Sequence, residues 1–144
     1  MNRFMKSPLG MIAALMLSLN TGATEADVVA VVSANNPVNS LSRIELINIF
    51  LGKSAQFPDG TPATPIDLHE TAPDRQVFYA KFDNKSAAQI KAYWSKMIFT
   101  GRGRPPQTVA DGEALRQLVA KDPNAIGYLD EALVDGSIKV LTVN

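Results

Sequence analysis

Thr71, Arg102 and Arg104 carry side chains that could bind an anion. Arg102 and Arg104 alternate with glycines in the stretch Gly101–Pro106, and such a loop could cradle an anion between guanidinium and backbone N–H groups. The alternative is a solvated loop whose arginines pair with local acids. Thr71 could donate its hydroxyl to a ligand, or either it or Ala72 could cap the helix that begins nearby. These residue types favour binding over catalysis.

Cysteine and histidine counts exclude most catalytic chemistry. The chain has 144 residues, no Cys and one His, His69. Without Cys there is no disulfide, thiolate metal site, iron–sulfur cluster or Cys nucleophile. A single His disfavours a Ser/His/Asp triad and excludes a multi-His metal site. We therefore expect no catalytic residues, no metal and no cofactor, and we interpret His69 as an ordinary loop residue or a pH-sensitive contact.

Charge and length narrow the class of protein further. The sequence holds 14 basic and 14 acidic residues, 46% hydrophobic residues and 19% charged ones. Nucleic-acid-binding domains usually carry a basic excess, so this balance argues against a nucleic-acid partner. The composition is that of a globular chain, and the length fits one domain.

The N-terminus predicts a secretory signal peptide. Arg3 and Lys6 precede the apolar run Leu9–Leu19, and small residues follow, with cleavage points after Ala23 or Ala26. We prefer cleavage after Ala23. As a helix, the run would span about 16 Å, short of the roughly 30 Å hydrocarbon core, which disfavours the alternative of an uncleaved anchor. A buried helix is the remaining alternative.

The predicted domains are therefore a signal peptide over 1–23 and a single domain over 24–144. Removing 1–23 takes away two basic residues and no acidic ones, so the remaining domain carries a small net negative charge.

Hydrophobic patterning of this domain predicts alternating strands and helices. The β-branched run 27–33 suits a strand buried on both faces, as in a parallel sheet covered by helices. Further strands are predicted over 64–68, 125–129 and 137–143. Ser42, Ser86 and Asp111 are expected as helix caps, and Pro73 as the first residue of another helix. This order predicts an α/β fold with a mixed sheet and flanking helices.

Aromatic and aliphatic residues on the predicted helices form candidate core faces. We place Ile44, Val77 and Ile98 on these faces from their spacing. Tyr93 and Trp94 are expected in the core, with stacking on a ligand as the alternative.

Several motifs, taken in one order from about Val28 to Val143, resemble the substrate-binding proteins of phosphate ABC transporters. The closest resemblance is to a short, single-domain subgroup that is periplasmic-binding-protein-like. The motifs are Asn36-Pro37-Val38, Ser40-Leu41-Ser42, Ile49-Phe50-Leu51-Gly52-Lys53, Pro62 to Asp67, Tyr93-Trp94, Ile98-Phe99-Thr100-Gly101 and Asn124-Ala125-Ile126-Gly127-Tyr128.

This resemblance implies one lobe of a type 2 periplasmic binding protein. It implies a periplasmic, exported protein that binds phosphate or a related small oxyanion and works with an ABC transporter permease or a membrane sensor. Arg75 keeps its family position at the anion-binding turn, so the resemblance implies that Arg75 clamps the anion. The alternative is a surface Arg75 paired with Glu70 or Asp74.

The stretch Glu70–Arg75 departs from the family's glycine-containing turn. Pro73 removes an N–H donor, and Glu70 and Asp74 add negative charge where an oxyanion would lie. This departure, with the missing second lobe, favours an alternative function: a ligand-free interaction or sensor-partner module in the periplasm. The oligomeric state stays open at this point, including a pair of copies that rebuilds a two-lobed cleft.

Overall fold

The computed structural model describes residues 27–144, and the predicted signal peptide lies outside them. Seven strands, four α-helices and one short 3₁₀-helix make up this part of the chain. In chain order they are β1 (Val28–Ser33), β2 (Ser40–Leu41), α1 (Arg43–Phe50), β3 (Thr64–Leu68), α2 (Pro73–Asp83), α3 (Ala87–Phe99), β4 (Gln107–Val109), α4 (Gly112–Lys121), β5 (Ala125–Asp130), the 3₁₀-helix Glu131–Leu133, β6 (Ile138–Val140) and β7 (Thr142–Val143).

The central sheet has five strands in the order β4-β3-β5-β1-β6. Strand β3 runs parallel to β4 and β5, whereas β1 runs antiparallel to both β5 and β6. A separate parallel pair joins β2 to β7. The predicted mixed α/β fold is confirmed. The parallel setting predicted for β1 is wrong, because burial on both faces depends on what covers the sheet and not on strand direction.

Helices cover both faces of this sheet. Gly127 and Tyr128 are neighbours on β5 and therefore point to opposite faces. Leu115 of α4 packs over Gly127, while Phe50 of α1 and Phe78 of α2 pack against the ring of Tyr128. The rings of Phe78 and Tyr128 are stacked, with centroids 3.9 Å apart. The face under α1 and α2 is thus an aromatic core.

Side-chain caps fix the starts of three helices. Ser42 accepts a hydrogen bond from the Glu45 N–H at 3.1 Å, and Asp111 accepts one from the Ala114 N–H at 2.9 Å. Ser86 forms the complete reciprocal box with Gln89. These three caps are confirmed, and each satisfies N–H groups that a helix start leaves open.

Three aliphatic residues predicted for the core are exposed instead: Ile44, Val77 and Ile98. The buried stripe of α2 runs through Arg75, Phe78, Tyr79 and Phe82, which leaves Val77 beside it. Ile44 stands in the first turn of α1, before that helix reaches the core. Ile98 continues the stripe of Ile90 and Trp94, but it lies at the end of α3 on the surface.

The strand predicted over 137–143 is split into β6 and β7, and the three-residue β4 was not predicted. Strand β4 follows Pro105 and Pro106, and its three residues are too few to show the alternating hydrophobic pattern of a strand. No helix within residues 27–144 is long and apolar enough to cross a membrane.

Candidate functional site

A surface cleft of about 610 Å³ opens beside the first turn of α2. Its walls come from the loop after β3, from α2, from one face of α3, and from β4 with the two prolines before it. The lining side chains include His69, Glu70, Arg75, Lys91, Trp94, Ser95, Ile98, Pro105, Pro106 and Thr108. Charged groups from three elements therefore share one concave surface with aromatic and aliphatic groups.

Arg75 is the buried cation of this cleft. Only 9% of the residue is exposed, and its Nε lies 3.4 Å from Oδ1 of Asp67, which is 1% exposed. The guanidinium carbon stands 5.1 Å from the centroid of the Tyr79 ring. Among residues 27–144, no hydrogen bond satisfies Arg75 Nε. The predicted surface pairing of Arg75 with Glu70 or Asp74 is wrong, because Arg75 is buried and its acidic partner is Asp67 on β3.

Asp67 is held by three further donors. The Tyr79 hydroxyl donates to Oδ2 at 2.6 Å, the Tyr128 hydroxyl donates to Oδ1, and the Leu68 N–H donates to Oδ1 at 2.8 Å. A buried carboxylate is tolerated only with such partners. The carboxylate thus fixes Arg75 and is itself fixed by groups on β3, α2 and β5.

The two tyrosines that hold Asp67 are strongly perturbed. Burial, and then the nearby negative charge of Asp67, raise the pKa of both Tyr79 and Tyr128 far above the ordinary value for tyrosine. Both hydroxyls therefore keep their protons through the physiological range and remain donors to the carboxylate.

The N-terminus of α2 offers little to an anion. Ala72 is the N-cap without a side-chain hydrogen bond, and Pro73 follows it with no N–H. Burial and the negative charge of Asp130 raise the pKa of Asp74. The Asp130 carboxylate therefore already places negative charge close to the first turn of α2, where an anion would otherwise be favoured. An anion in the cleft would depend on side-chain donors more than on the helix end.

Thr71 is neither the helix cap nor part of the cleft lining. It is exposed, and its Oγ1 lies 3.1 Å from Nδ1 of His69. The cap is Ala72, the second of the two predicted positions. His69 stands in the loop after β3 and lines the cleft.

Arg102 and Arg104 are exposed on the loop between α3 and β4, and neither lines the cleft. Arg104 borders a separate cavity of about 250 Å³ that shares Pro105 and Pro106 with it. Of the four predicted ligand-binding residues, the structure brings Arg75 alone into the cleft. Residues 27–144 hold no group of three acidic or His side chains placed to bind a metal ion.

Sequence reasoning missed Asp67 and Lys91 as site residues. Asp67 lies in a predicted strand, and an acid at an inward position of a strand is the signal that could have found it. Lys91 is exposed on α3 and lines the cleft. Only the packing of α3 against the loop before β4 brings it there.

The fold of residues 27–144 is shared with known binding proteins. A structure from Clostridium perfringens, described as a phosphate ABC transporter substrate-binding protein with bound phosphate, matches with TM-score 0.64 at 20% identity over 81% of this chain and 44% of that one. An ABC-type phosphate transport receptor from Vibrio cholerae matches with TM-score 0.64 at 18% identity, over 81% and 45%. The chain has the fold of one lobe of such a protein.

PstS from Borrelia burgdorferi matches the chain as well, with TM-score 0.56 at 11% identity over 81% of this chain and 47% of that one. The predicted resemblance to phosphate-transporter substrate-binding proteins is confirmed as a likeness of fold. The chain spans less than half the length of these structures. No family model matches the sequence, and no curated protein sequence matches it.

Proposed function

We propose that this chain is an exported solute-binding protein that binds phosphate or a related oxyanion beside Arg75 and acts with an ABC transporter. The observation that carries the proposal is the Arg75–Asp67 pair in the wall of the cleft. Support comes also from the fold, which is that of structures described as phosphate transport proteins.

The geometry of the pair leaves positive charge toward the cleft. Arg75 lines the cleft, whereas Asp67 lies behind it on β3, nearly without exposure. Coulomb energy falls with distance, and the Asp67 charge is already offset by two hydroxyls and one N–H. An anion in the cleft therefore meets the guanidinium more closely than the carboxylate.

Lys91 supplies a second cation and Thr108 supplies a hydroxyl donor on the same surface, whereas the Ser95 hydroxyl already donates to the Lys91 carbonyl at 2.9 Å. Glu70 opposes them with one negative charge. A hydrogen bond to a charged group contributes about 1.5–3 kcal/mol, so one or two such contacts predict a dissociation constant of about 1 mM. Binding of this strength is much weaker than that of an enclosed two-lobed site would be.

Calorimetric titration of the protein with phosphate, sulfate and acetate tests the proposal. Saturable heat with phosphate, reduced several-fold in Lys91→Met, is the expected result. Lys96→Met is the matched control, because Lys96 is an exposed lysine on the same helix that does not line the cleft. Absence of heat with all three anions at millimolar concentration would contradict it.

A second candidate function is a ligand-free interaction module for an ABC transporter permease or a membrane sensor. Its support is Phe99, which is 92% exposed at the end of α3. A photo-crosslinking residue at position 99 would then give one adduct with a membrane protein in intact cells. The same residue at position 44, also exposed but on α1, serves as the control, and equal labelling from both positions would reject this function.

A further inference from the structure

The cleft is large for a bare oxyanion. Cavities of about 300–1,000 Å³ commonly hold organic ligands of drug size, and this cleft measures about 610 Å³. Its charged lining groups are Glu70 of the loop after β3, Arg75 of the first turn of α2, and Lys91 of α3. A phosphate ion bound to Arg75 would leave most of the space unfilled.

The rest of the cleft wall is largely apolar. Trp94 and Ile98 of α3, together with Pro105 and Pro106 of the following loop, supply apolar lining. Ile98 is 58% exposed although it continues the buried stripe of its helix. An apolar group that lay here would remove Ile98 from water, which is favourable in proportion to the area covered.

Two buried donors without partners belong to residues that line this cleft. Within residues 27–144, neither Trp94 Nε1 nor Arg75 Nε has a hydrogen-bond partner, and both atoms are buried. Trp94 is only 6% exposed. Neither atom is open to the cleft, because Arg75 Nε lies against Asp67 and Trp94 Nε1 is enclosed by the protein. A ligand in the cleft therefore meets the cations Arg75 and Lys91 beside an apolar wall, and a molecule that carries both an oxyanion and an apolar group matches this lining.

We infer that the cleft takes an organic phosphate or phosphonate, in which one oxyanion group carries an apolar substituent of about the size of an aromatic ring. The inference rests on the proposed function and names its ligand class. The oxyanion group lies against Arg75 and Lys91, and the substituent lies between Trp94 and the two prolines. Glu70 in the lining disfavours a ligand with a second anionic group near the first.

Fluorescence and calorimetric titrations test this inference. Trp94 is the only tryptophan of the chain, so its emission reports on the apolar wall alone. The probes are phenylphosphonate, methylphosphonate, inorganic phosphate and benzyl alcohol. We expect phenylphosphonate to bind about tenfold or more tightly than methylphosphonate and phosphate, because a ring is buried in addition.

The outcomes separate the two proposals. Equal affinity for phenylphosphonate, methylphosphonate and phosphate overturns the inference and leaves the proposed function standing. Binding of benzyl alcohol as tight as that of phenylphosphonate also overturns it, because the oxyanion would then contribute nothing. No binding of any phosphorus compound overturns the inference, and the absence of heat with sulfate and acetate as well overturns the proposed function.

A matched pair of variants locates the substituent. Ile98→Ser should lower phenylphosphonate affinity about threefold or more and leave phosphate affinity unchanged. Phe99→Ser is the control, because Phe99 is the next residue and is more exposed, but does not line the cleft. Both residues are on the surface, so both variants should fold. The same loss in both variants, or a loss of phosphate affinity in Ile98→Ser, would overturn the inference.

Discussion

Arg75 Nε lies 3.4 Å from Asp67 Oδ1, and both residues are almost fully buried next to the cleft. The contact ties the first turn of α2 to the end of β3. A buried ion pair adds little stability over an apolar pair of the same size, but breaking one by removing a single partner is costly. The position of Arg75 at the cleft wall thus depends on Asp67.

Asp67→Asn should lower the free energy of unfolding by about 3–5 kcal/mol, because it leaves the Arg75 charge buried without a counter-charge. In the original protein both tyrosine hydroxyls donate to the Asp67 carboxylate. The asparagine amide would place an N–H₂ donor against one of these donating hydroxyls. Chemical denaturation measures the change. Glu131→Gln, at an exposed acid, is the control and should change stability by less than about 0.5 kcal/mol. Equal effects of the two substitutions would show that Asp67 does not organise the site.

Tyr79→Phe and Tyr128→Phe should each lower stability by about 1–3 kcal/mol, since each removes a donor from a buried carboxylate. The double variant should depart from the sum of the two, because both hydroxyls serve Asp67. Tyr93→Phe is the reference. Its hydroxyl donates at 2.7 Å to the Leu51 carbonyl, a neutral and partly buried partner, and its loss should cost about 0.5–1.5 kcal/mol. Strict additivity of Tyr79 and Tyr128 would contradict the shared network.

At alkaline pH, unfolding of the protein and ionisation of Tyr79 and Tyr128 should occur in the same transition. The folded state raises the pKa of both, so their contribution is complete below the unfolded value of about 10 and is lost as the pH rises above it. Each tyrosine then lowers stability by about 1.4 kcal/mol per pH unit. Phenolate absorbance followed beside circular dichroism measures this. Two phenolates that appear while the fold persists would refute the buried, donating state of these hydroxyls.

Gly127→Ala should destabilise the fold by about 1–3 kcal/mol through overpacking. A Cβ at this position would lie 2.6 Å from Cδ2 and 3.1 Å from Cγ of Leu115, so the whole side chain would have to move. Gly136→Ala is the matched control, because nothing lies within 4 Å of the Cβ there. Thermal melting compares the two variants. Similar melting temperatures would show that α4 is free to shift away from β5.

Local signals in the sequence predicted much of the fold. Ser42, Ser86 and Asp111 start helices where their side chains accept the hydrogen bonds expected of caps. Strand β3 has the predicted limits 64–68. Such features depend on a few neighbouring residues, and sequence shows them directly. The direction of β1 was predicted wrongly, because it depends on which strands lie beside it.

The candidate site was less accessible from sequence. Arg75 was found through a family position, whereas its partner Asp67 was missed, although an acid inside a predicted strand is a signal for such a residue. Lys91 and Trp94 reach the cleft because α3 packs beside the loop before β4. Such placement depends on tertiary packing, and the hydrophobic periodicity of a helix or strand does not show which elements pack together. Arg102 and Arg104 looked suitable by type, but both are exposed and neither lines the cleft, although Pro105 and Pro106 of the same loop do.

Calorimetric titration of phosphate into the protein and into the double variant Asp67→Asn/Arg75→Met tests the central claim most directly. The double variant removes both members of the pair and so leaves no uncompensated buried charge. Melting curves confirm that it folds. The account predicts saturable binding to the original protein and none to the double variant at the same phosphate concentrations. Binding of equal affinity to both would show that the oxyanion site does not involve Arg75.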